Sequence, residues 1–289
     1  MRQATDGQAS VGKRVDLSII VCTRNRRDAL KGCLDSIAVS MSSVSGMSKE
    51  IVVVDNRSRD GTRDLLRSWA AGADCATTIV DEGDGGLARA RNTGVAASRG
   101  KLLAFTDDDC RLSRTHLRDL VCHDGADTES VLRGGGVDLG NPFDLPCTVK
   151  RDIKRRRIDR HHDPMRDVAP GGCILGCNMA MRRTVFDKLG PFDERFGAGA
   201  IFKSGEDTDY ILRAYFSGIA VEYVPDMVVY HFHGRRKPHE LASLLSGYDE
   251  GNGALYAKFM WRHPELIRPL YWDIRNGVRE RGTEGGCRA

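Results

Sequence analysis

From Val15 onward the chain alternates short apolar runs with stretches of helical period. SIIVC (18–22) is strand-sized, and behind it Leu30, Cys33, Leu34 and Ile37 fall at i, i+3, i+4, i+7 spacing, one face of a helix. EIVVVD (50–55) follows, then Leu65, Leu66 and Trp69 on a second helical face. TTIV, LARARNTGVAAS and KLLAFT repeat the order strand, helix, strand. This alternation predicts an α/β fold with a mostly parallel central sheet flanked by helices.

The second half is less regular. VLRGGGVDL and CNMAMRR are expected as strands, and TVFDKLG and EDTDYILRAYFSG as helices ending near Gly190 and Gly218. VEYVPDMVVYHFH reads as extended chain broken at Pro225. Between about Gly140 and Gly171 lies a long charged loop, and residues 1–14 and roughly 280–289 read as loose ends. No internal repeat is present.

Composition narrows the class. With 289 residues, 40% hydrophobic and 29% charged, the chain can fill one large core or two fused small ones. The formal charge of +4 does not demand a polyanionic partner. Nine scattered cysteines, and no apolar core in MRQATDGQASVGK, give a reducing, cytoplasmic compartment as the expectation. No apolar run approaches the roughly 20 residues that cross a bilayer.

Candidate chemistry gathers where strands end. TDDDC places Asp107, Asp108 and Asp109 after KLLAF. Along extended chain Asp107 and Asp109 project to one side and Asp108 away, so two carboxylates share a site that suits Mg²⁺ or Mn²⁺ with phosphate oxygens. The bland alternative is a solvated turn capping the next helix. SIIVC runs into Thr23-Arg24-Asn25-Arg26 and EIVVV into Asp55-Asn56-Arg57-Ser58, polar groups on one sheet edge where α/β folds bind nucleotides. Asp55 can accept from a base N–H or ribose hydroxyl, or simply form a turn. SGEDTDY offers Glu206, Asp207 and Asp209 in a first helical turn. Ser204 with Asp207 fits a capping box, yet three acids behind FGAGAIFKSG also suggest a general base. In VVYHFH, His231 and His233 share one side of extended chain and could add a metal ligand.

In this order the pieces SIIVCTRNR, EIVVVDNRSRDGT, GLARARNTGVAASRGKLLAFTDDDC, GCNMAMRRTVFDKLGPFDERFG, GEDTDYILRAYFSG and VEYVPDMVVYH resemble glycosyltransferase family 2, inverting enzymes of the GT-A fold. The resemblance covers roughly Asp16 to His233. It implies a single GT-A domain over 15–235, with a nucleotide-binding half (about 15–139) and an acceptor-side half (about 140–235). Residues 1–14 are then a flexible tail and 236–289 a C-terminal helical extension. It also implies nucleotide-sugar binding by Thr23, Arg24, Asp55, Arg91, Asp107 and Asp108, and Mn²⁺ or Mg²⁺ on Asp109, Asp107 and His231. Asp207 matches the catalytic base, with Glu206 beside it positioning the acceptor. The implied donor is a nucleoside-diphosphate sugar, a UDP-sugar first. The acceptor would be a glycan, a lipid-linked molecule or a small molecule, with peripheral membrane contact left open and no nucleic acid expected. Cys22 and Thr106 depart from the common pattern, where proline and an apolar residue stand; neither change removes a chemical group.

Three rival readings remain. GDGGLA (83–88) fits a dinucleotide fingerprint of an NAD(P)-binding dehydrogenase, though Asp81, Glu82 and Asp84 would crowd a pyrophosphate. KRDIKRRRIDRHH (150–162) is a basic run that could bind nucleic acid or anionic lipid, or be a solvated loop. Cys110, Cys122, His123, Cys173 and Cys177 are candidate zinc ligands without paired C-x-x-C spacing, so buried thiols are the expectation.

Overall fold

The computed structural model describes residues 15–165 and 169–282. The expected N-terminal tail 1–14 and the last seven positions lie outside the described residues. The first half forms β1 (Val15–Thr23), α1 (Arg27–Ser42), β2 (Lys49–Asp55), α2 (Thr62–Ala71), β3 (Ala76–Asp81), α3 (Leu87–Ala97) and β4 (Gly100–Asp107). Their strands lie side by side as β3-β2-β1-β4, all parallel. Alternate residues of each strand serve opposite faces. Ile19, Val21, Ile51 and Val53 join Leu30, Leu34 and Ile37 of α1 in one core, while Ile20, Val52, Val54 and Phe105 join Tyr210 and Phe192 in the other. Leu30, Leu34 and Ile37 are fully buried, each stabilising the layer by roughly 1.5–3 kcal/mol.

The second half adds β5 (Cys110–Leu112), α4 (His116–Ala126), β6 (Val131–Leu139), β7 (Arg156–Ile158), β8 (Asn178–Arg182), α5 (Arg183–Leu189), α6 (Glu206–Phe216) and β9 (Ala220–His231). The sheet continues β4-β8-β6-β9-β5, with β7 paired to β9. Antiparallel pairings enter here, and their ladders are short beside the parallel ones of the first half. Two helices follow, α7 (Pro238–Phe259) and α8 (Ile267–Gly282). Among the described residues no helix is long and apolar enough to cross a membrane.

Two expectations are corrected. Pro225 does not break its segment, because β9 runs through it opposite a register shift between Gly135 and Val137. Proline has no N–H to give a ladder, and a bulge is where a sheet tolerates that. The Asn178 amide donates to the carbonyls of Gly136 and Met227, satisfying groups at the irregularity. The basic run is not a free loop either. It contributes β7, and its arginines meet carboxylates: Arg151 with Asp138, Arg155 with Glu222, Arg156 with Asp163, Arg157 with Glu129. Its charge is largely answered within the fold.

Strand register places the chemistry. Thr23 pairs with Asp55, Asp55 with Asp81, and Cys22 with Asp107, so the polar carboxyl ends of β1, β2, β3 and β4 form one edge.

Candidate active site

A cleft of about 400 Å³ opens at this edge. Thr23, Arg24, Arg91, the three aspartates, Glu206, Asp207 and His231 all line it, although they span more than two hundred positions of sequence. Asp55 does not line it. Its Oδ1 accepts the Ser58 amide at 2.9 Å, closing the turn after β2, and the neighbouring Asn56 faces the cleft instead. The buried Asn56 Oδ1 has no partner among the described residues, an acceptor left for a ligand.

The aspartate triplet departs from strand alternation because β4 stops at Asp107 and a turn takes over. All three side chains therefore reach the cleft, each with a different partner. Asp107 Oδ1 lies 3.3 Å from Arg91 Nη2; Asp109 lies 3.3 Å from His231 Nε2 and 3.4 Å from Arg26 Nη1. Asp108 faces Thr23, and burial pushes its pKa up to about 7, with Asp109 adding to the rise. Burial also raises Asp107. For Asp109 burial is outweighed by the hydrogen bond and charge of His231, which hold it below the usual carboxylate range. The same bond lifts His231 to about 9 against the effect of its own burial.

Asp109 and His231 also belong, with Cys110, to a group whose potential ligand atoms lie within 4.8 Å of one another. Asp107 is not in this group, since Arg91 holds its carboxylate. The Cys110 thiol is raised well above its ordinary pKa by a hydrogen bond with Cys177 and by burial, so it stays protonated. The remaining donors, a carboxylate and an imidazole, fit Mn²⁺ or Mg²⁺ completed by phosphate oxygens. Thr148 prepares the imidazole. Its hydroxyl donates to the Cys147 carbonyl at 2.7 Å, which leaves its oxygen to accept from His231 Nδ1 at 3.1 Å and fixes the ring with Nε2 toward Asp109 and the cleft, where a cation would displace the Nε2 proton. Thr148 holds φ at +52°, a left-handed conformation costly for a β-branched residue. His233 stays beside His231, the rings edge to face with centroids 5.1 Å apart, but it does not line the cleft, and its Nε2 meets the Leu145 carbonyl at 3.1 Å.

Helix α6 supplies the other acids. Ser204 forms no capping box: its hydroxyl donates to the Gly247 carbonyl, and Gly205, at φ +94°, is the residue preceding the helix. Asp209 is fully buried between Arg213 at 2.9 Å and Lys258 at 2.5 Å, a structural anchor for α7. Asp207 is half-buried, with Oδ2 accepting from the Gly176 amide and Oδ1 from the Thr208 amide, both at 2.8 Å. A side chain at Gly176 would put a Cβ 2.8 Å from that same Oδ2 and 3.0 Å from Arg91, so the approach needs glycine. Glu206 is buried 2.8 Å from Arg91. Burial and the charge of Asp207 push Glu206 up to about 7 despite Arg91. Burial opposes the charge of Arg91, yet Glu206, Asp107 and Asp207 raise it above the ordinary arginine value.

Further lining residues escaped the sequence reading. Arg26 lies within a quoted motif, but Thr148, Lys203, Arg235 and Tyr248 come from segments with no motif. The dinucleotide reading of GDGGLA loses one of the amides a pyrophosphate would need, because the Leu87 N–H at the start of α3 already donates to the Ala198 carbonyl. Nor do the candidate zinc ligands assemble as one group among the described residues: Cys122 is exposed and His123 pairs with Asp226.

Three clustered aspartates, a buried Arg–Glu pair and a carboxylate at a helix start thus meet at the carboxyl ends of parallel strands, where open α/β sheets bind ligands. The chain belongs to glycosyl transferase family 2, whose model matches residues 18–190. It is 27% identical over 216 residues to the glycosyltransferase AglE of Haloferax volcanii, covering 74% of this chain and 66% of that protein. With the validoxylamine A glucosyltransferase of Streptomyces hygroscopicus subsp. jinggangensis it shares 25% over 288 residues, 90% of this chain and 64% of the other. The chain thus spans about two thirds of the length of these curated relatives. Two solved structures share the fold. S. aureus TarS 1–349 in complex with UDP-GlcNAc aligns with TM-score 0.58 at 19% identity, over 79% of this chain and 61% of that one. The mannosyltransferase PcManGT of Pyrobaculum calidifontis, in complex with GDP-Man and Mn²⁺, aligns with TM-score 0.56 at 21% identity, over 94% and 82%.

Proposed function

We propose that this protein is an inverting, metal-dependent glycosyltransferase that moves a sugar from a nucleoside-diphosphate sugar to an acceptor hydroxyl. The observation that carries the reading is the shared cleft, with a candidate base, Asp207, and a metal-binding pair, Asp109 and His231, both on its wall. Residues 15–235 would be the catalytic domain and α7 and α8 its extension. Thr23, Arg24 and Asn56 would hold the nucleotide, with Asp55 shaping the turn behind them and Asp108 facing Thr23. Arg24 and Arg26 supply positive charge for the diphosphate. A divalent cation on Asp109 and His231 would neutralise charge on the leaving diphosphate.

The reaction is a single displacement. Asp207 takes the proton of the acceptor hydroxyl, that oxygen forms a bond to the anomeric carbon, and the bond from this carbon to the phosphate oxygen breaks. The electron pair leaves with the nucleoside diphosphate, and the configuration inverts. Glu206 holds Arg91, and Arg91 holds Asp107 beside the sugar. TarS with UDP-GlcNAc and PcManGT with GDP-Man and Mn²⁺ support a nucleotide-sugar donor, UDP first, and a divalent cation.

The test is a screen of UDP-glucose, UDP-GlcNAc and GDP-mannose with Mn²⁺ or Mg²⁺, scored by release of nucleoside diphosphate. Release from at least one donor is expected, with loss in chelator and the anomeric configuration of the product reversed by NMR. No release, together with no calorimetric binding of UDP or GDP, would sink the reading.

A further inference from the structure

Behind Asp207 lies a second pocket of about 290 Å³, between the 169–172 turn, α6 and the two C-terminal helices. Asp207, Ser204 and Tyr248 line both cavities, so the second opens onto the carboxylate that would take the proton. The two differ in charge. The first holds five carboxylates but matches them with five cations, Arg24, Arg26, Arg91, Lys203 and Arg235, which suit a diphosphate and its metal. Among the described residues the second has no lysine, arginine or histidine in its lining; its charged groups are the carboxylates of Asp207 and Asp273. Leu212, Leu255 and Tyr248 supply apolar surface, and Asn252 and Thr208 supply hydrogen-bonding groups. Its volume is at the low end of the about 300–1,000 Å³ typical of ligand pockets, the size of one ring rather than a chain.

We propose that this second pocket is the acceptor subsite and that it selects a ring-sized polyol with no anionic group near the reacting hydroxyl, an amine-bearing polyol being favoured. The proposal rests on Asp207 acting as the base. A phosphate or carboxylate placed there would face Asp207 and Asp273, and among the described lining residues no cation offsets them; Arg91, whose charge reaches Asp207, lines the first cleft instead. An ammonium group would instead complete Asp273, whose Oδ2 accepts from the Tyr256 hydroxyl at 2.5 Å and which pairs with no cation among the described residues. Burial and the nearby charge of Asp249 raise its pKa, as such a carboxylate requires. The donor cleft and the acceptor subsite thereby sort their ligands by sign of charge, which keeps the released diphosphate out of the acceptor side.

The experiment offers the enzyme one scaffold in several charge states: methyl glucoside, glucosamine, glucose 6-phosphate and glucuronate. Transfer is read as glycosylated product, and donor hydrolysis is read in parallel. The expected order of kcat/KM is glucosamine, then methyl glucoside, with the two anions about 10-fold or more below. Asp273→Asn should lower the glucosamine to methyl glucoside ratio about 10-fold. Asn252→Lys, which leaves the Tyr256 contact intact, should shift preference toward the anions; UDP affinity of each variant reports whether the donor half stays folded. Anions accepted as well as neutral sugars, ratios unmoved by both variants, or no transfer to any member by an enzyme that hydrolyses its donor would each overturn the proposal. Absence of donor hydrolysis would overturn the transferase reading beneath it.

Discussion

Arg91 Nη1 lies 2.8 Å from Glu206 Oε1, joining α3 to the first turn of α6 across 115 positions of sequence. Both side chains are nearly removed from water, at 3% and 8% exposure. Breaking such a pair leaves a buried charge without a partner, typically at a cost of 3–5 kcal/mol. Arg91→Ala is therefore expected to destabilise the protein by about that amount in denaturant unfolding, and Arg91→Lys to recover little, because a point charge cannot span Glu206 and Asp107. The double variant with Glu206→Ala should be more stable than Arg91→Ala alone. Additive losses would mean that the two groups do not sense each other.

Part of the pH dependence follows from Glu206. Its folded pKa of about 7 lies above the ordinary 4.5, so the folded state binds the proton more tightly than the unfolded chain. The stability this contributes is fully present below about pH 4.5 and is lost as pH rises through 7. Activity runs the other way. As pH falls through 7, protonated Glu206 no longer answers Arg91, whose charge then bears more strongly on Asp207 and Asp107, and transfer should decline. Asp108, also raised to about 7, titrates in the same window, so Glu206→Gln should reduce but not abolish the slope of both profiles between pH 4.5 and 7; an unchanged stability profile would remove Glu206 as a titrating group.

For the metal pair, Asp109→Ala should abolish transfer while leaving a cooperative fold, and full activity of that variant in chelator would refute the assignment. Thr148 gives a finer test. Thr148→Gly relieves the strain at φ +52° but removes the hydroxyl facing His231 Nδ1. We expect a fold at least as stable by thermal unfolding, together with a 10- to 100-fold rise in the Mn²⁺ concentration needed for half activation, the usual effect of losing a group that orients a ligand. An unchanged metal requirement would leave Thr148 without a part in holding the imidazole.

Much of this fold is legible in the chain because β1, β2 and β4 are covered on both faces. Runs such as EIVVV and the 3.6-period of Leu30, Leu34 and Ile37 are local signatures of that burial. The site residues that are legible sit at strand ends or a helix start, where the pattern changes from apolar to polar. Others depend on distant partners. Pro225 reads as a break because the bulge and the Asn178 bonds that accommodate it come from elsewhere in the sheet. Ser204 reads as a cap because one residue decides whether Ser204 or Gly205 precedes the helix. Tyr248, Thr148 and Asp273 carry no local signal, since only the packing of α7, α8 and the 140–150 segment brings them to the cavities.

Asp207 offers the most direct test of the chemistry. Both of its oxygens accept backbone N–H groups, from Gly176 and Thr208. Asp207→Asn turns one of these acceptors into a donor and so loses a charge-assisted hydrogen bond, about 1.5–3 kcal/mol, whatever the catalytic role of the residue. Stability alone thus does not discriminate. Turnover does, because the amide occupies nearly the same space but cannot take the acceptor proton. With Asp207 as the base, the folded variant should bind the nucleoside diphosphate nearly as tightly as the wild type, by calorimetry, and transfer about 10²-fold or more slowly. Near wild-type transfer would exclude Asp207. Glu206 would then be the remaining candidate, since Arg213 and Lys258 neutralise Asp209 in the core and leave it no path to the acceptor.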